Sequence, residues 1–452
     1  MNRAAAGLLL CAVMALHGCG KKDRGDEIVY QCAANTAEVA ALEADIPGFA
    51  AQSGITIRLN PFSGDEKLLA MIAAGQEPDI FYASTALRDR LAAEGHLLDL
   101  RTIAEGDPFV ARLYDAALED GRAIDGGWYS CGNWAFTCGV YYNRRLFDEA
   151  RIPYPDTSWT WDDMQRAARV LTRDKNGDGK TDQHGIYIGT HFVETLERMN
   201  HAPIGRDEML LSISPEAREV FEKYLALLDA GLMPDPRRVQ AMGMQPPQML
   251  ENGTVAMLVE GLPNPSMYAA LRVPWGVAPL PRFAGKAPLY FRSRSGGLCI
   301  SARTKNPART WAALKWIIGT ASAYQPNPVL RDVDFTGGWE ARYPALRGSG
   351  FREVWERSLV NDGGDSRYFA RLSSWTMNPI MERFQPLLDR LWARDIGIDA
   401  VLAEIPSINT AVEADLARIL RETALKPAFR RALEERMHEL APRKSSDHTT
   451  AS

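Results

Sequence analysis

Short runs rich in β-branched and aromatic residues alternate along this chain with stretches whose apolar positions recur every three to four residues. "EIVYQCAA" (27–34), "ITIRLNPF" (55–62) and "DIFYA" (79–83) read as strands. Between the second and third, "GDEKLLAMIAAG" puts Leu69, Ile72 and Ala73 on one helical face and stops at Gly75. A helix feeding a strand in this way predicts an α/β body with largely parallel sheets. Farther on, "GVYYNRRLFDEARIPYPDTSWTWDDMQRAARVLTRD" (139–174) holds a strand, a short helix, a proline-rich turn and a longer helix. Thr160 and Asp163 have the spacing of a helix cap, Met164, Ala167, Ala168 and Leu171 form the buried stripe behind it, and Trp159 and Trp161 are packing residues. "GTVAMLVEG" (253–261) and "WGVAPLP" (275–281) read as strands, and "PARTWAALKWIIGTA" (307–321) as an amphipathic helix with Trp311 and Trp316 in the core. The region from Asn378 to Leu440 is largely helical.

Size and charge narrow the function. At 452 residues the chain has room for two or three domains, or for one two-lobed body. A formal net charge of -5 leaves no basic surplus to neutralise a phosphate backbone, which argues against nucleic acid as a partner. The first residues, "MNRAAAGLLLCAVMALHGC", combine a basic start with an apolar run from Ala4 to Leu16, the form of an export signal and too short to span a bilayer. The ending Leu16-His17-Gly18-Cys19 resembles the bacterial lipoprotein signal, in which Cys19 carries lipid and becomes the new N-terminus; ordinary secretion is the alternative. The polar "GKKDRGDE" then serves as a tether. Cys32, Cys131, Cys138 and Cys299 remain, an even set with three possible pairings, of which Cys131–Cys138 would close a small loop; buried thiols are the plainer reading for Cys32 and Cys299.

The stretch "DKNGDGKTDQHG" (174–185) raises a choice between a calcium loop, a pair of catalytic carboxylates and a plain turn. Asp174, Asn176 and Asp178 repeat the first three ligand positions of an EF-hand-type loop, with Gly179 at the sharp turn and Asp182 beyond. The closing bidentate acid is absent, its place falling on Gly185, and this favours an Asp/Asn/Gly turn between a helix and a strand. A solvated glycine-rich loop also lacks the desolvation that a glycosidase carboxyl pair needs. No Gly-x-Ser-x-Gly, His-Glu-x-x-His or phosphate loop occurs, so neither a catalytic motif nor a cofactor is indicated.

Seven segments, "IAAGQEPDIFYAS" (72–84), "GHLLDL" (95–100), "GVYYNRRLFDEARIPYP" (139–155), "SWTWDDMQRAARVLTRDKNGDGKTDQHGI" (158–186), "NGTVAMLVEG" (252–261), "WGVAPLP" (275–281) and "GGLCISARTKNPARTWAALKWI" (296–317), together resemble the family 1 extracellular solute-binding proteins of ATP-driven importers, the group that includes maltose-binding protein. The resemblance implies a type II periplasmic-binding-protein-like fold: two α/β lobes joined by crossing segments, with a solute held between them. It divides the chain into a signal (1–18), a lipid-anchored tether (19–27), lobe 1 (28–135), lobe 2 (136–288), a return to lobe 1 (289–330), helices packed on both lobes (331–440) and a disordered tail (441–452). "NWAFTCGVYYN" would be the outward crossing and "PLYFRSRSGGLCIS" the return. Its partners would be a sugar and the transmembrane subunits of a permease, with the chain acting as a monomer; an exported carbohydrate-active enzyme, or a binding lobe used as a sensor or envelope scaffold, is the alternative. Many relatives place an aromatic residue after the strand that ends in Gly261, where this chain has Leu262 and Pro263.

Sugars present apolar C–H faces and a rim of hydroxyls, which call for flat aromatic platforms and fixed polar groups. Trp134, in the outward crossing, is the first platform, with Trp128, Trp339 and Trp375 behind it. Asn35 after the first strand, Ser84 after the third, Asp65 before a helix, Glu260 at the end of "AMLVE" and Arg292 near the return crossing form the expected polar rim.

Overall fold

The computed structural model describes residues 27–32, 36–62, 64–132, 136–202, 209–262, 265–286, 292–293, 296–324, 329–360 and 374–440. Its strands are β1 (Glu27–Cys32), β2 (Thr56–Pro61), β3 (Ile80–Ala83), β4 (Phe136–Asn143), β5 (His184–Ile188), β6 (Val255–Gly261), β7 (Trp275–Pro279), β8 (Arg292–Ser293) and β9 (Gly297–Ile300). They form two sheets, one ordered β2-β1-β3-β9, the other β5-β6-β4-β7 with β8 paired to β4.

The first sheet is parallel across β2, β1 and β3, and β9 closes its edge antiparallel. In the second, β5 and β6 are parallel, whereas β4 runs against both β6 and β7. The expectation of largely parallel sheets therefore holds for the first lobe and fails for the second. The reason lies in the crossing: β4 enters from the first lobe and runs away from it, while β5, β6 and β7 run back towards it.

Each sheet is covered on both faces by helices, which explains why its strands read as nearly continuous apolar runs. One face of the first sheet packs Ile28, Tyr30 and Ile80 against Trp311, Leu314 and Ile318; the other packs Phe81 and Ala83 against Leu91, Leu416 and Phe429. In the second lobe, Val140, Ile186 and Met257 meet Met164, Leu171 and Tyr224 on one face, and Tyr141 and Leu258 meet Trp355 and Tyr268 on the other. The long helices Ser374–Trp392 and Ile398–Glu422 join both bodies, since Trp375 and Leu416 belong to a first-lobe core while Phe384 and Val412 belong to a second-lobe core. Among the described residues no helix is long and apolar enough to cross a membrane.

Local expectations fare unevenly. Thr160 and Asp163 form a reciprocal capping box: the Asp163 N–H donates to Thr160 Oγ1 (3.2 Å) and the Thr160 N–H to Asp163 Oδ2 (2.9 Å). Met164, Ala167, Ala168 and Leu171 are buried behind it, as are Trp159 and Trp161. In the Asp65–Ala73 helix the buried pair is Leu68 and Ile72, with Ala73 exposed, so the face is rotated by about one residue from the expected one. Leu68 and Ile72 belong to the core that holds Phe81 and Leu87, with Leu69 packed at its margin. Trp311 is core, while Trp316 is half-buried and stacks on Phe49 with ring centroids 4.7 Å apart.

All four described cysteines are free and buried, so the small-loop disulfide is not formed. Cys131 pairs with Leu298 at the first sheet, whereas Cys138 sits within β4 in the second-lobe core. The segment between them passes from one lobe to the other, and this separates the thiols.

Candidate functional site

The strand registers locate the junction between the lobes. Gly297, at the start of β9, lies opposite Ala83 at the end of β3, and Cys131 bridges Leu298 beside it. On the other side, Phe136 and Thr137 of β4 pair with Ser293 and Arg292, and Cys138 pairs with Gly261 at the end of β6. Both connections thus leave the first sheet at the carboxyl end of β3 and enter the second at the carboxyl end of β6, the edge where open α/β sheets hold ligands. Two glycines make this approach possible. A Cβ on Gly296 (φ 102°) would lie 2.2 Å from the Ala83 carbonyl oxygen, and one on Gly297 would lie 2.6 Å from the Cys131 carbonyl oxygen.

Of the expected rim residues, Ser84 lies at this junction. It caps the Thr85–Glu94 helix, its Oγ accepting from the Leu87 N–H at 3.4 Å, and the Oγ1 of neighbouring Thr85 is buried with no hydrogen-bond partner. Asp65 is exposed at the first turn of its helix, where a carboxylate favours the positive end of the helix dipole. The Arg292 backbone pairs with Thr137 in the return crossing. Asn35 and Trp134 lie outside the described residues, as does Cys19. The other three tryptophans do not offer a free face. Trp128 packs edge-on against Trp311, Trp339 against Phe351 and Trp355, and Trp375 against Phe429; all are buried, and core packing is their observed role.

Glu260 ends β6 next to the crossing and is half-buried. Directly paired residues on neighbouring strands share a face, so Glu260 lies on the side of the sheet that carries Gly139, Leu258, Tyr141 and Tyr187. Burial pushes its carboxyl up to about 7, against a smaller opposing pull from the Gly261 N–H, which donates to Oε1 at 3.0 Å. Tyr141 and Tyr268 stack with centroids 3.7 Å apart, and both hydroxyls are buried without a partner. The three tyrosines were not singled out from the sequence; period-two alternation, which puts Tyr141 on the face of Gly139, was the available signal.

The loop 174–182 lies apart from this edge, exposed between the Trp161–Leu171 helix and β5. Its oxygens turn inward onto the loop's own backbone. Asp174 accepts from the N–H groups of Gly177 and Gly179, Asn176 from Asp178, Asp178 from Lys180, and Asp182 from Lys175. These bonds, led by that from Gly179, hold the Asp174 carboxyl below the usual carboxylate range. No group of three or more His, Cys, Asp or Glu side chains placed to hold a metal occurs among the described residues.

A cavity of about 920 Å³ opens beyond β7, on the outer edge of the second sheet, lined by Tyr142, Arg144, Arg352 and Glu356 among others. Its charges are largely paired within the lining, Arg352 with Glu340 and Glu356, and Arg357 with Glu353.

Residues 33–324 match the family described as bacterial extracellular solute-binding protein, and the chain belongs to it. It is accordingly a non-catalytic binding protein, the solute-binding component of an ABC transporter. Solved structures share the fold. An ABC substrate-binding protein from Listeria monocytogenes, in complex with cycloalternan, is 20% identical with a TM-score of 0.68, covering 87% of this chain and 99% of its own. The sugar-binding protein MalE from Xanthomonas citri is 16% identical with a TM-score of 0.67, covering 88% and 100%. The maltose/maltodextrin-binding domain MalE from Bdellovibrio bacteriovorus, bound to maltotriose, is 17% identical with a TM-score of 0.60, covering 86% and 100%.

Proposed function

We propose that this protein captures a sugar or oligosaccharide between its two lobes, without changing it chemically, and hands it to the transmembrane subunits of the importer. The observation that carries the reading is the junction itself, where the carboxyl ends of both sheets face one set of crossing segments. The oligosaccharides held by the Listeria and Bdellovibrio proteins support a carbohydrate as the solute class. Trp134 stacks on a sugar face, while Asn35, Asp65, Ser84, Glu260 and Arg292 supply the polar rim. Lobe closure excludes water from the solute.

Titration of intrinsic fluorescence, after a thermal-shift screen of a sugar library, tests this reading. A bound sugar at 100 times its Kd raises stability by ~2.7 kcal/mol. Trp134→Ala weakens its binding by about tenfold or more, a stacking loss of ~1.4 kcal/mol. Equal binding by that variant removes Trp134 from the site, and a library without any stabilising sugar overturns the solute class.

The chain is anchored by lipid on Cys19 in this reading, which the apolar run ending in Leu16-His17-Gly18-Cys19 supports. Cys19→Ser releases the mature protein from the membrane fraction, and unchanged retention counts against the anchor.

A further inference from the structure

Two C-terminal helices, Ser374–Trp392 and Ile398–Glu422, serve both lobes, and their packing shows where each changes sides. In the first helix Trp375 lies in a first-lobe core, whereas Ile380 and Phe384 lie in the second-lobe core. In the second helix Ile408 and Val412 lie in the second-lobe core, whereas Leu416 lies in the first-lobe one. The lobe boundary is therefore crossed between Trp375 and Ile380 in one helix and between Val412 and Leu416 in the other. Both sides of the crossing are fastened. In the first lobe the Ser374 hydroxyl donates to Asp89, and Trp375 packs on Phe429. In the second, Trp392 packs edge-on against Phe221 and Tyr224, with ring centroids 5.4 and 4.9 Å away, and Asp399 pairs with Arg218 at 2.8 Å.

Close-packed side chains at fastened ends resist sliding, so a change in the angle between the lobes has to be absorbed where the helices cross. Pro379 stands in that interval. A proline inside a helix has no N–H to give the carbonyl four residues earlier, here that of Trp375, and its ring crowds that carbonyl. The first helix thus lacks one rung of its ladder at the boundary, the usual cause of a bend. The other helical prolines of the pair, Pro386 and Pro406, fall between residues of the second-lobe core and away from the crossing. Arg383, one turn beyond Pro379, spans the weak point. Its Nη1 donates to the Pro379 carbonyl at 2.7 Å and its Nη2 to Asp415 Oδ2 at 2.9 Å. Asp415 lies between Val412 and Leu416, so this partly buried guanidinium ties the two helices together at the level where both change lobes.

We infer that the C-terminal helix pair is a flexure between the lobes, with Pro379 as its bending point and the Arg383–Asp415 pair as the brace that limits the bend. These are positioning residues. They act through the angle between the lobes, and the apparent affinity of a solute scales with the fraction of molecules in the conformation that binds it. The flexure deepens the proposed function, since it sets how readily the lobes close. Its test uses no solute, so a failure here is distinguishable from a failure of the carbohydrate reading.

Pulsed electron resonance between two nitroxides, on Gln52→Cys in the first lobe and Arg169→Cys in the second, reads the distribution of interlobe distances. Both positions are exposed, whereas the four described native thiols are buried and stay unlabelled. Pro379→Ala, which restores the N–H, narrows the distribution relative to the wild type. Arg383→Ala, which removes the brace, broadens it. Arg418→Ala removes the other arginine on Asp415, at 3.1 Å and on the same helix, and leaves the distribution unchanged. Wild-type distributions in both Pro379→Ala and Arg383→Ala overturn the flexure: the helix pair then rides on one lobe and slides on the other. Broadening by Arg418→Ala as large as that by Arg383→Ala overturns the brace, because the effect then belongs to the Asp415 charge and not to the link between helices. Alanine favours a helix, so Pro379→Ala tests the bending point even where Arg383→Ala fails to fold. A raised melting temperature of Pro379→Ala with an unchanged distribution assigns Pro379 to stability alone and also overturns the flexure.

Discussion

The Arg88–Asp89 pair in the first lobe and Glu260 in the second present the same physical problem, charge removed from water, and the chain handles it in opposite ways. Arg88 and Asp89 are almost fully buried. Arg88 Nε donates to Asp89 Oδ1 at 2.7 Å and Nη2 donates to the Arg122 carbonyl at 3.0 Å, while Nη1 reaches the Asp120 carbonyl. The Ser374 hydroxyl donates to Asp89 from the start of a C-terminal helix. Burial pushes the Asp89 carboxyl up, and the guanidinium and the hydroxyl draw it back. Glu260 has no such set of partners. The contrast separates a charge that several groups of the chain satisfy, and that can lock a helix in place, from one that among the described residues accepts a single backbone N–H at the end of its strand.

The largest expected effect breaks the satisfied side of this contrast. Arg88→Ala leaves Asp89 buried without its cation and lowers stability by about 3–5 kcal/mol, whereas replacing both residues with apolar ones of similar volume recovers much of that loss. Denaturant unfolding of the single and double variants measures it. If the single variant unfolds like the wild type, the pair is a passenger and the Ser374–Trp392 helix is held by packing alone.

Glu260 sharpens the other side through pH. Folding raises this carboxyl from its ordinary 4.5 to about 7, so the folded chain holds the proton more tightly than the unfolded one. The associated stability is fully present below the unfolded value and is lost as pH rises through 7. Glu260→Gln, which stays neutral, therefore gains on the wild type at pH 8, by about 1 kcal/mol after allowing for solvent screening of a half-buried group, and matches it near pH 4.5. Thermal melts at both pH values read this difference. An equal gain at both would trace the effect to packing and remove the charge from the argument.

How much of this was legible in the sequence follows from what periodicity encodes. Alternation and apolar runs reveal strands such as β1, β3 and β6, and the Thr160–Asp163 spacing reveals a cap, because these depend on neighbouring residues. The reversal of β4 depends on where the chain comes from, and no local pattern records it. Arg88 and Asp89 sit in "TALRDRLAAE", which reads as a solvent-facing helix until the Asp120 and Arg122 carbonyls and Ser374 are brought around it. Glu260 is expected at the polar rim from its place in "AMLVE", whereas the three tyrosines that sense its charge come from three different elements, and no local pattern brings them together.

The smallest expected effect belongs to the exposed carboxylates of the loop 174–182, a third way of handling charge. Water solvates these groups, and the loop's backbone N–H groups meet them at short range, 2.7 Å from Gly177 and 2.8 Å from Gly179 to Asp174. Each such bond replaces one with water, so its net contribution is small, and Asp174→Ala lowers stability only slightly. The depressed Asp174 carboxyl works in the same direction: its stabilisation is present above the ordinary carboxylate value and is lost as pH falls through the folded one. Because the oxygens already accept from the backbone, and the position of a closing bidentate acid is occupied by Gly185, chelation leaves solute affinity unchanged and moves the melting temperature little. Calorimetry with and without a chelator, on the wild type and on Asp174→Ala, separates the outcomes. A melting temperature that falls on chelation in the wild type alone would identify the loop as an ion site, and loss of solute binding in chelator would connect it to the interlobe edge from which it is now set apart.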